Sequence, residues 1–340
     1  MQKFPTCTLY LNRSCPNNCP QCGIRDPSKQ KLTPQAWMEA CEILQACFDT
    51  EFFLILGTEP LLMGEGLVDL VKYWTKMKMF YGLYSTSPEP YFSQLKKKLV
   101  DAGLTSWSAG IDTWPGLPNM FALDKVIQSV RGLDYMADAG VTIHTVTTVN
   151  NYNLEDVALI LRSAQERFRK KTTVTSSLNA IEWQHDETFD FFSKKEKMMP
   201  PYADLVIPPE RHPAVLKMCE DVRKLMFVDG YQIQTTARHL NDWPLLYRSL
   251  NSNCQGLCGF AVDCDGRMRR CGYNKGTKVS SYTVWDIERA SVRRQFIQDW
   301  QEEVASCPGC FWVFKYCMEE KGSLKHKSEF YTERQTGKEV

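Results

Sequence analysis

The stretch CPNNCPQC, residues 15–22, sets Cys15, Cys19 and Cys22 at a C-x3-C-x2-C spacing. Thiolates are soft ligands suited to iron–sulfur clusters and to zinc. Three of them can hold three irons of a four-iron cluster and leave the fourth iron without a protein ligand. A substrate or cofactor could then bind that iron directly. Pro16 and Pro20 oppose a regular helix, and Asn17 and Asn18 favour turns. The segment is therefore expected to curl as a loop and aim backbone N–H groups at the cluster's sulfurs. Zinc with a distant fourth ligand, or three plain core thiols, are the simpler alternatives. A polar, proline-rich loop is an unusual setting for core cysteines.

A second group lies far along the chain. Of the 14 cysteines, those at 254, 258, 264, 271, 307, 310 and 317 crowd the C-terminal part. Asp265-Gly266 sits between GFAVD and RMRR, which is a strong hairpin signal. A helical stretch from about Ile287 to Trp300 follows, and then CPGC at 307–310. A zinc knuckle is the alternative to an iron–sulfur site here. Cys7, Cys41, Cys47 and Cys219 fall in strand or helix patterns and are expected to be small core residues.

The elements that must position these groups alternate between strand and helix. CTLYLN (7–12) predicts a first strand. Thr33 then caps a helix with Pro34 at its first position, and Trp37, Cys41, Leu44 and Phe48 line one face. FFLIL (52–56) with the helix of Leu67, Leu70 and Trp74 forms the second unit. FYGLY (80–84) with Leu95 and Leu99 forms the third. TSWSAGI (105–111) with Val126, Val130 and Leu133 forms the fourth. VTIHTVTTV (141–149) with Leu154, Val157, Leu161 and Phe168 forms the fifth. TTVTSSL (172–178) opens the sixth, its helix falling around Ala214–Leu225, and MFVDGYQIQTT is expected to add another strand. Repeated strand–helix units with right-handed crossovers build parallel sheets. Six units fall short of a closed eight-fold barrel, so an open partial barrel or a doubly wound sheet is expected. In a barrel, chemistry sits on loops leaving the C-terminal strand ends, and the cysteine loop leaves the first strand there. Residues 1–245 are thus expected to form the barrel, with 182–213, rich in proline, as an insertion or active-site loop. Residues 246–320 are expected to form a small hairpin-plus-helix domain, and 321–340 a polar tail.

With this order of motifs, the chain resembles the radical S-adenosylmethionine superfamily over roughly residues 5–180. The resemblance implies a partial (β/α)6 TIM-like barrel in which Cys15, Cys19 and Cys22 hold a [4Fe-4S] cluster. The open iron would chelate S-adenosylmethionine, whose reductive cleavage gives a 5′-deoxyadenosyl radical that abstracts a substrate hydrogen. ILGTEPLL is similar to the family's G-G-E-P turn, with Thr58 in place of a glycine, so Gly57, Thr58, Glu59 and Pro60 are cofactor-binding candidates. The family's fourth strand often ends S-x-D with ribose contacts; here it ends Gly110-Ile111-Asp112, so Asp112 matches, Gly110 stands in place of the serine, and Ser108 is a candidate because it shares that strand face. Gln21 occupies the position usually filled by an aromatic residue between the last two cysteines. The C-terminal order C…G-x4-C…C-x2-C resembles the twitch form of the SPASM domain. It implies one auxiliary [4Fe-4S] cluster on Cys254, Cys271, Cys307 and Cys310, with Cys258, Cys264 and Cys317 unassigned.

The remaining expectations are coarser. A net charge of +1 offers no electrostatic case for nucleic acid or a membrane surface. No run of 18 apolar residues and no signal peptide is found, and so many cysteines without one point to a reducing, cytoplasmic setting. Polar residues near strand ends and late loops, His144, Glu182, Gln184, His185 and Arg238, are substrate-site candidates. The expected activity is a radical enzyme, oxidoreductase or isomerase in type, supplied by a reductant such as flavodoxin or ferredoxin. Its substrate would be a small molecule, an aminoacyl group or a modified nucleoside. A peptide-modifying maturase is the alternative, made less favourable because only six residues precede the first strand. A non-catalytic metal-binding protein is the third reading.

Overall fold

The computed structural model describes residues 4, 6–17, 19, 26–56, 58–117, 123–180, 205, 207–235, 237–243, 259–270 and 278–305. Strands β1 (Thr6–Tyr10), β2 (Phe52–Leu56), β3 (Phe80–Tyr84), β4 (Ser106–Gly110), β5 (Thr142–Val149) and β6 (Val174–Ala180) lie side by side in chain order, every pairing parallel. Between them run α1 (Pro34–Phe48), α2 (Glu65–Lys76), α3 (Tyr91–Asp101), α4 (Leu123–Asp138) and α5 (Val157–Phe168). The sheet is open: β6 does not pair with β1. This is a partial TIM-like barrel. After β6 come α6 (His212–Phe227) and the short α7 (Ala237–Asp242).

Strand alternation sorts the residues by face. Leu9, Ile55, Leu83, Ala109 and Ile143 point outward into one core with Leu44, Val71, Leu99 and Val130 of the helices. The opposite face lines the barrel lumen. There, Tyr84, Ser108, His144 and Thr175 follow one another across the sheet by register, and Thr8 and Ser177 share that face by alternation. A second core holds Leu154 and Leu161 against Val215, Val222, Leu240 and Trp243.

The hairpin expected around Asp265-Gly266 is present, as β7 (Phe260–Val262) and β8 (Met268–Arg269). It is built into the barrel's sheet, because β7 pairs in parallel with β1 on the side away from β2. Helix α8 (Ala290–Ala305) closes over the same edge. Phe4 packs edge-on against Phe48, Phe260 and Trp300 at centroid distances of 5.0, 5.1 and 4.6 Å. The described residues of 246–320 therefore share the barrel's sheet and core.

Two glycines make this hairpin possible. Gly259 has φ +70°, and a Cβ there would stand 2.1 Å from the Thr6 carbonyl oxygen. Gly266 has φ +81°, and a Cβ there would stand 2.4 Å from the Trp285 ring. Gly266→Ala is expected to cost ~2–4 kcal/mol from the left-handed backbone and the overpacked ring together. A shift in urea midpoint, with the helical circular dichroism of the native chain retained without urea, would show it.

Among the described residues, one expected strand is reduced to a single bridge. The run 226–236 begins inside α6, which continues to Phe227. Beyond it, Ile233 makes a single parallel bridge to Ser176. The run is joined to β6 by Ser176 N donating to Gln232 O at 2.9 Å and Gln234 N donating to Ser176 O at 2.6 Å, while the amides of Ile233 and Thr235, on the other side, donate to carbonyls two residues back at 3.0 Å each.

His239, on α7, is fully buried with Thr235 Oγ1 2.6 Å from its Nδ1. Burial pushes its pKa down to about 3, so the native ring is neutral. The unfolded chain takes up the proton first as pH falls below about 6.5. The contribution is complete above that pH and erodes between about 6.5 and 3. Between pH 7.5 and 5.5 the His239-dependent loss should be about 1.4 kcal/mol. Urea melts at the two pH values would detect it, and His239→Gln should flatten the difference.

Candidate functional site

Cys15 and Cys19 lie in the loop that leaves the C-terminal end of β1, at the lumen's mouth. Both are partly exposed and neither is in a disulfide. The other described cysteines are of another kind. Cys7, Cys41, Cys47, Cys219 and Cys264 are buried. Burial pushes the thiols of Cys41 and Cys219 up to about 12 and that of Cys264 up to about 11, and raises Cys7 well above its ordinary value. Those are inert packing thiols, whereas Cys15 and Cys19 can reach a metal. Cys22, Gln21 and Gly57 lie outside the described residues. Among those described, no three metal-ligating side chains converge.

The loop is wired to the ends of β2 and β3. Thr58 N donates to Asn12 O at 3.2 Å, and Thr58 Oγ1 donates to Ser14 O at 2.6 Å. Asn12 Nδ2 donates to Glu59 O at 2.8 Å. Asn17 Nδ2 donates to Thr86 Oγ1 at 2.6 Å, and that hydroxyl donates on to Glu59 Oε2 at 3.0 Å. Ser85 Oγ and Leu61 N donate to Glu59 Oε1 at 2.6 and 3.2 Å, and Thr86 N donates to Oε2 at 3.1 Å. Burial pushes the Glu59 carboxyl above its ordinary value, and these hydrogen bonds hold it back. Glu59 is fully buried, so its side chain acts here as the keystone of the β2 and β3 loops. It also caps the short 3-10 turn that Pro60 opens.

On the other side of the mouth, Asp112 follows β4. Its Oδ2 lies 2.8 Å from Lys125 Nζ of α4, its Oδ1 accepts from Thr148 N at 2.9 Å, and its carbonyl accepts from Asn153 Nδ2 at 2.8 Å. Burial opposes the charge on Lys125. Asp112, then Cys19 and Tyr84, outweigh that burial and raise the lysine well above its ordinary value. A buried ammonium therefore stands within electrostatic reach of a loop cysteine. Ser108, four residues before Asp112, faces the lumen between Tyr84 and His144 in the register.

His144 is deeper in the lumen. Its Nδ1 lies 2.7 Å from Thr175 Oγ1 and its Nε2 lies 3.1 Å from Ser177 Oγ, a firmly held polar ring. Glu182, Gln184 and His185 lie outside the described residues, as does the side chain of Arg238. Cys254, Cys258, Cys271, Cys307, Cys310 and Cys317 lie outside them too.

The sequence reading did not single out Lys125, which looks like an ordinary helix-surface lysine. Nor did it single out Asp263, which follows β7. Arg13 Nε donates to Asp263 Oδ1 at 2.7 Å, and Lys29 and Arg269 close on Oδ2. Burial alone would push this carboxyl up, but Arg13, Arg269 and Lys29 hold it well below the usual carboxylate range.

No family model matches this chain, and no curated protein matches it. Solved structures do. SuiB of Streptococcus suis, crystallised with S-adenosylmethionine, aligns over 93% of this chain and 72% of its own, at 11% identity and a TM-score of 0.64. SuiB bound to the precursor peptide SuiA aligns over 93% and 71%, also at 11% identity, with a TM-score of 0.63. The protein anSMEcpe, with AdoMet and a Kp18Cys peptide, aligns over 98% and 99%, at 12% identity and a TM-score of 0.55. The shared feature is the fold. Among the described residues, no helix is long and apolar enough to cross a membrane.

Proposed function

We propose that this chain is a radical S-adenosylmethionine enzyme. The observation that carries the reading is the C-x3-C-x2-C loop, with Cys15 and Cys19 partly exposed at the mouth of a partial barrel and the largely buried Lys125 ammonium within electrostatic reach of Cys19. Solved structures of the same fold contain S-adenosylmethionine, which supports it. The donor set fits a cluster: two reachable thiols and a third cysteine three residues on, next to a cation that favours thiolate. Cys15, Cys19 and Cys22 would hold a [4Fe-4S] cluster, and bound S-adenosylmethionine would supply a 5′-deoxyadenosyl radical there.

The protein's own residues orient and protect that chemistry. Asn12, Asn17, Thr58 and Thr86 hold the loop's shape. Thr58, Glu59 and Pro60 stand beside it, where backbone carbonyls suit an ammonium, and Gly57 would join them. Asp112 and Lys125 offer one acceptor and one donor, suited to a ribose hydroxyl and a carboxylate. Ser108 faces the lumen from its wall, and His144, both ring nitrogens held by Thr175 and Ser177, fixes the wall beside it. In the C-terminal part, Cys254, Cys271, Cys307 and Cys310 would hold one auxiliary [4Fe-4S] cluster that accepts an electron or shapes the substrate pocket. The 246–320 segment would be the unit that carries it.

A small polar substrate, aminoacyl group or nucleoside suits this lumen. A peptide is the second reading, favoured by the peptides bound in structures of the same fold. Anaerobic reconstitution with iron, sulfide, dithionite and S-adenosylmethionine is the test. Formation of 5′-deoxyadenosine is expected; its absence from iron-loaded protein would refute the proposal.

A further inference from the structure

The buried carboxylate of Asp263 joins segments far apart in sequence. Arg13 stands two residues before Cys15, and Lys29 follows the cysteine loop. Arg269 lies on β8, two residues before Cys271. All three cations meet Asp263, whose side chain is 1% exposed. Lys29 also lies 3.2 Å from Asp265. Arg13 further stacks over the Tyr10 ring at 4.1 Å. Two backbone bonds complete the arrangement. Asp26 N donates to Arg13 O at 2.8 Å and closes the neck of the loop, and Leu32 N donates to Cys264 O at 2.8 Å. The residues before and after the cysteines are thus pinned to one turn of the hairpin. Three cations on one buried carboxylate also leave positive charge at the base of a loop suited to an anionic cluster.

We propose that Asp263 is the positioning residue that sets the cysteine loop on the barrel, by fastening both of its flanks to the turn of the C-terminal hairpin. Its role toward a cluster rests on the function proposed above. The anchoring itself is a property of the chain without iron. It makes the segment leading into Cys271 and the loop of Cys15 and Cys19 move as one piece.

Hydrogen exchange on the full-length, iron-free chain tests the anchor. In Asp263→Asn, amides of 11–14 and 26–32 are expected to exchange about tenfold faster or more, while α5 and α6 keep wild-type rates. Lys29→Gln, which removes a cation at the rim, should speed 26–32 to a lesser degree. If Asp263→Asn does not fold, Lys29→Gln decides by the same criterion. Unchanged exchange in these segments, or equal acceleration throughout the chain, overturns the proposal. In reconstituted protein, Asp263→Asn should also alter the EPR signal of the reduced first cluster and its response to S-adenosylmethionine, and Asp263→Glu should return both toward wild type. A wild-type signal in Asp263→Asn would likewise contradict it. Because the exchange measurement needs no iron, failure of the anchor and failure of the cluster reading are distinguishable.

Discussion

Replacing Cys15, Cys19 and Cys22 together with alanine is expected to abolish 5′-deoxyadenosine formation while leaving the barrel folded. Cys15 and Cys19 are partly exposed loop residues that pack in neither hydrophobic core. Their loss creates no cavity, so thermal stability of the iron-free chain should shift by less than ~1 kcal/mol. The iron content should fall by about four atoms, the complement of one cluster. Any iron left would belong to the C-terminal cysteines. In contrast, Cys41→Ser should lower stability and leave the first cluster intact, because Cys41 is buried in the main core. Anaerobic iron analysis and product chromatography on the two variants separate the classes of cysteine.

The second large effect concerns the buried pair at the mouth. Asp112→Ala leaves the Lys125 ammonium buried without its carboxylate, and should destabilise the chain by ~3–5 kcal/mol. The double variant Asp112→Asn with Lys125→Met removes both charges at similar volume and should recover most of that stability. It should not recover cofactor binding. Losing a charged donor and a charged acceptor should weaken S-adenosylmethionine binding by about tenfold to a hundredfold. A double variant that recovers both stability and affinity would mean that the pair serves the fold alone. Urea denaturation and equilibrium binding to the iron-loaded protein supply the two readouts.

The strands were legible because their apolar runs are short and cleanly bounded. FFLIL and FYGLY are β2 and β3 to the residue, and Thr33-Pro34 marks the start of α1 by capping chemistry alone. The hairpin was legible through Asp265-Gly266, although its place beside β1 was not. That place depends on Gly259 meeting the backbone of Thr6, a contact between segments far apart in sequence that no local pattern reveals. The run 226–236 misled because its apolar and β-branched residues look strand-like, while its first two residues complete α6 and tight turns at Ile233 and Thr235 coil the backbone on either side of one bridge to Ser176.

In the candidate site, the cysteine spacing and the Glu59-Pro60 turn announce themselves, because each is a short contiguous motif. The groups that hold them do not. Asp263 reaches Arg13 across 250 positions, and Asn17 reaches Thr86 across 69. Lys125 stands on an amphipathic helix where lysine ordinarily faces water, yet here it turns into the mouth toward Asp112. Such side chains acquire their roles from tertiary geometry, and a single sequence carries no local mark of it.

The central claim is that one iron of the first cluster has no protein ligand and binds S-adenosylmethionine. Mössbauer spectroscopy of the chain loaded with iron-57, with Cys254, Cys271, Cys307 and Cys310 replaced by alanine, tests it most directly. Adding S-adenosylmethionine should shift the signal of about one iron in four and leave the others unchanged. A spectrum that does not respond, or a purified chain that takes up zinc in place of iron, would contradict it.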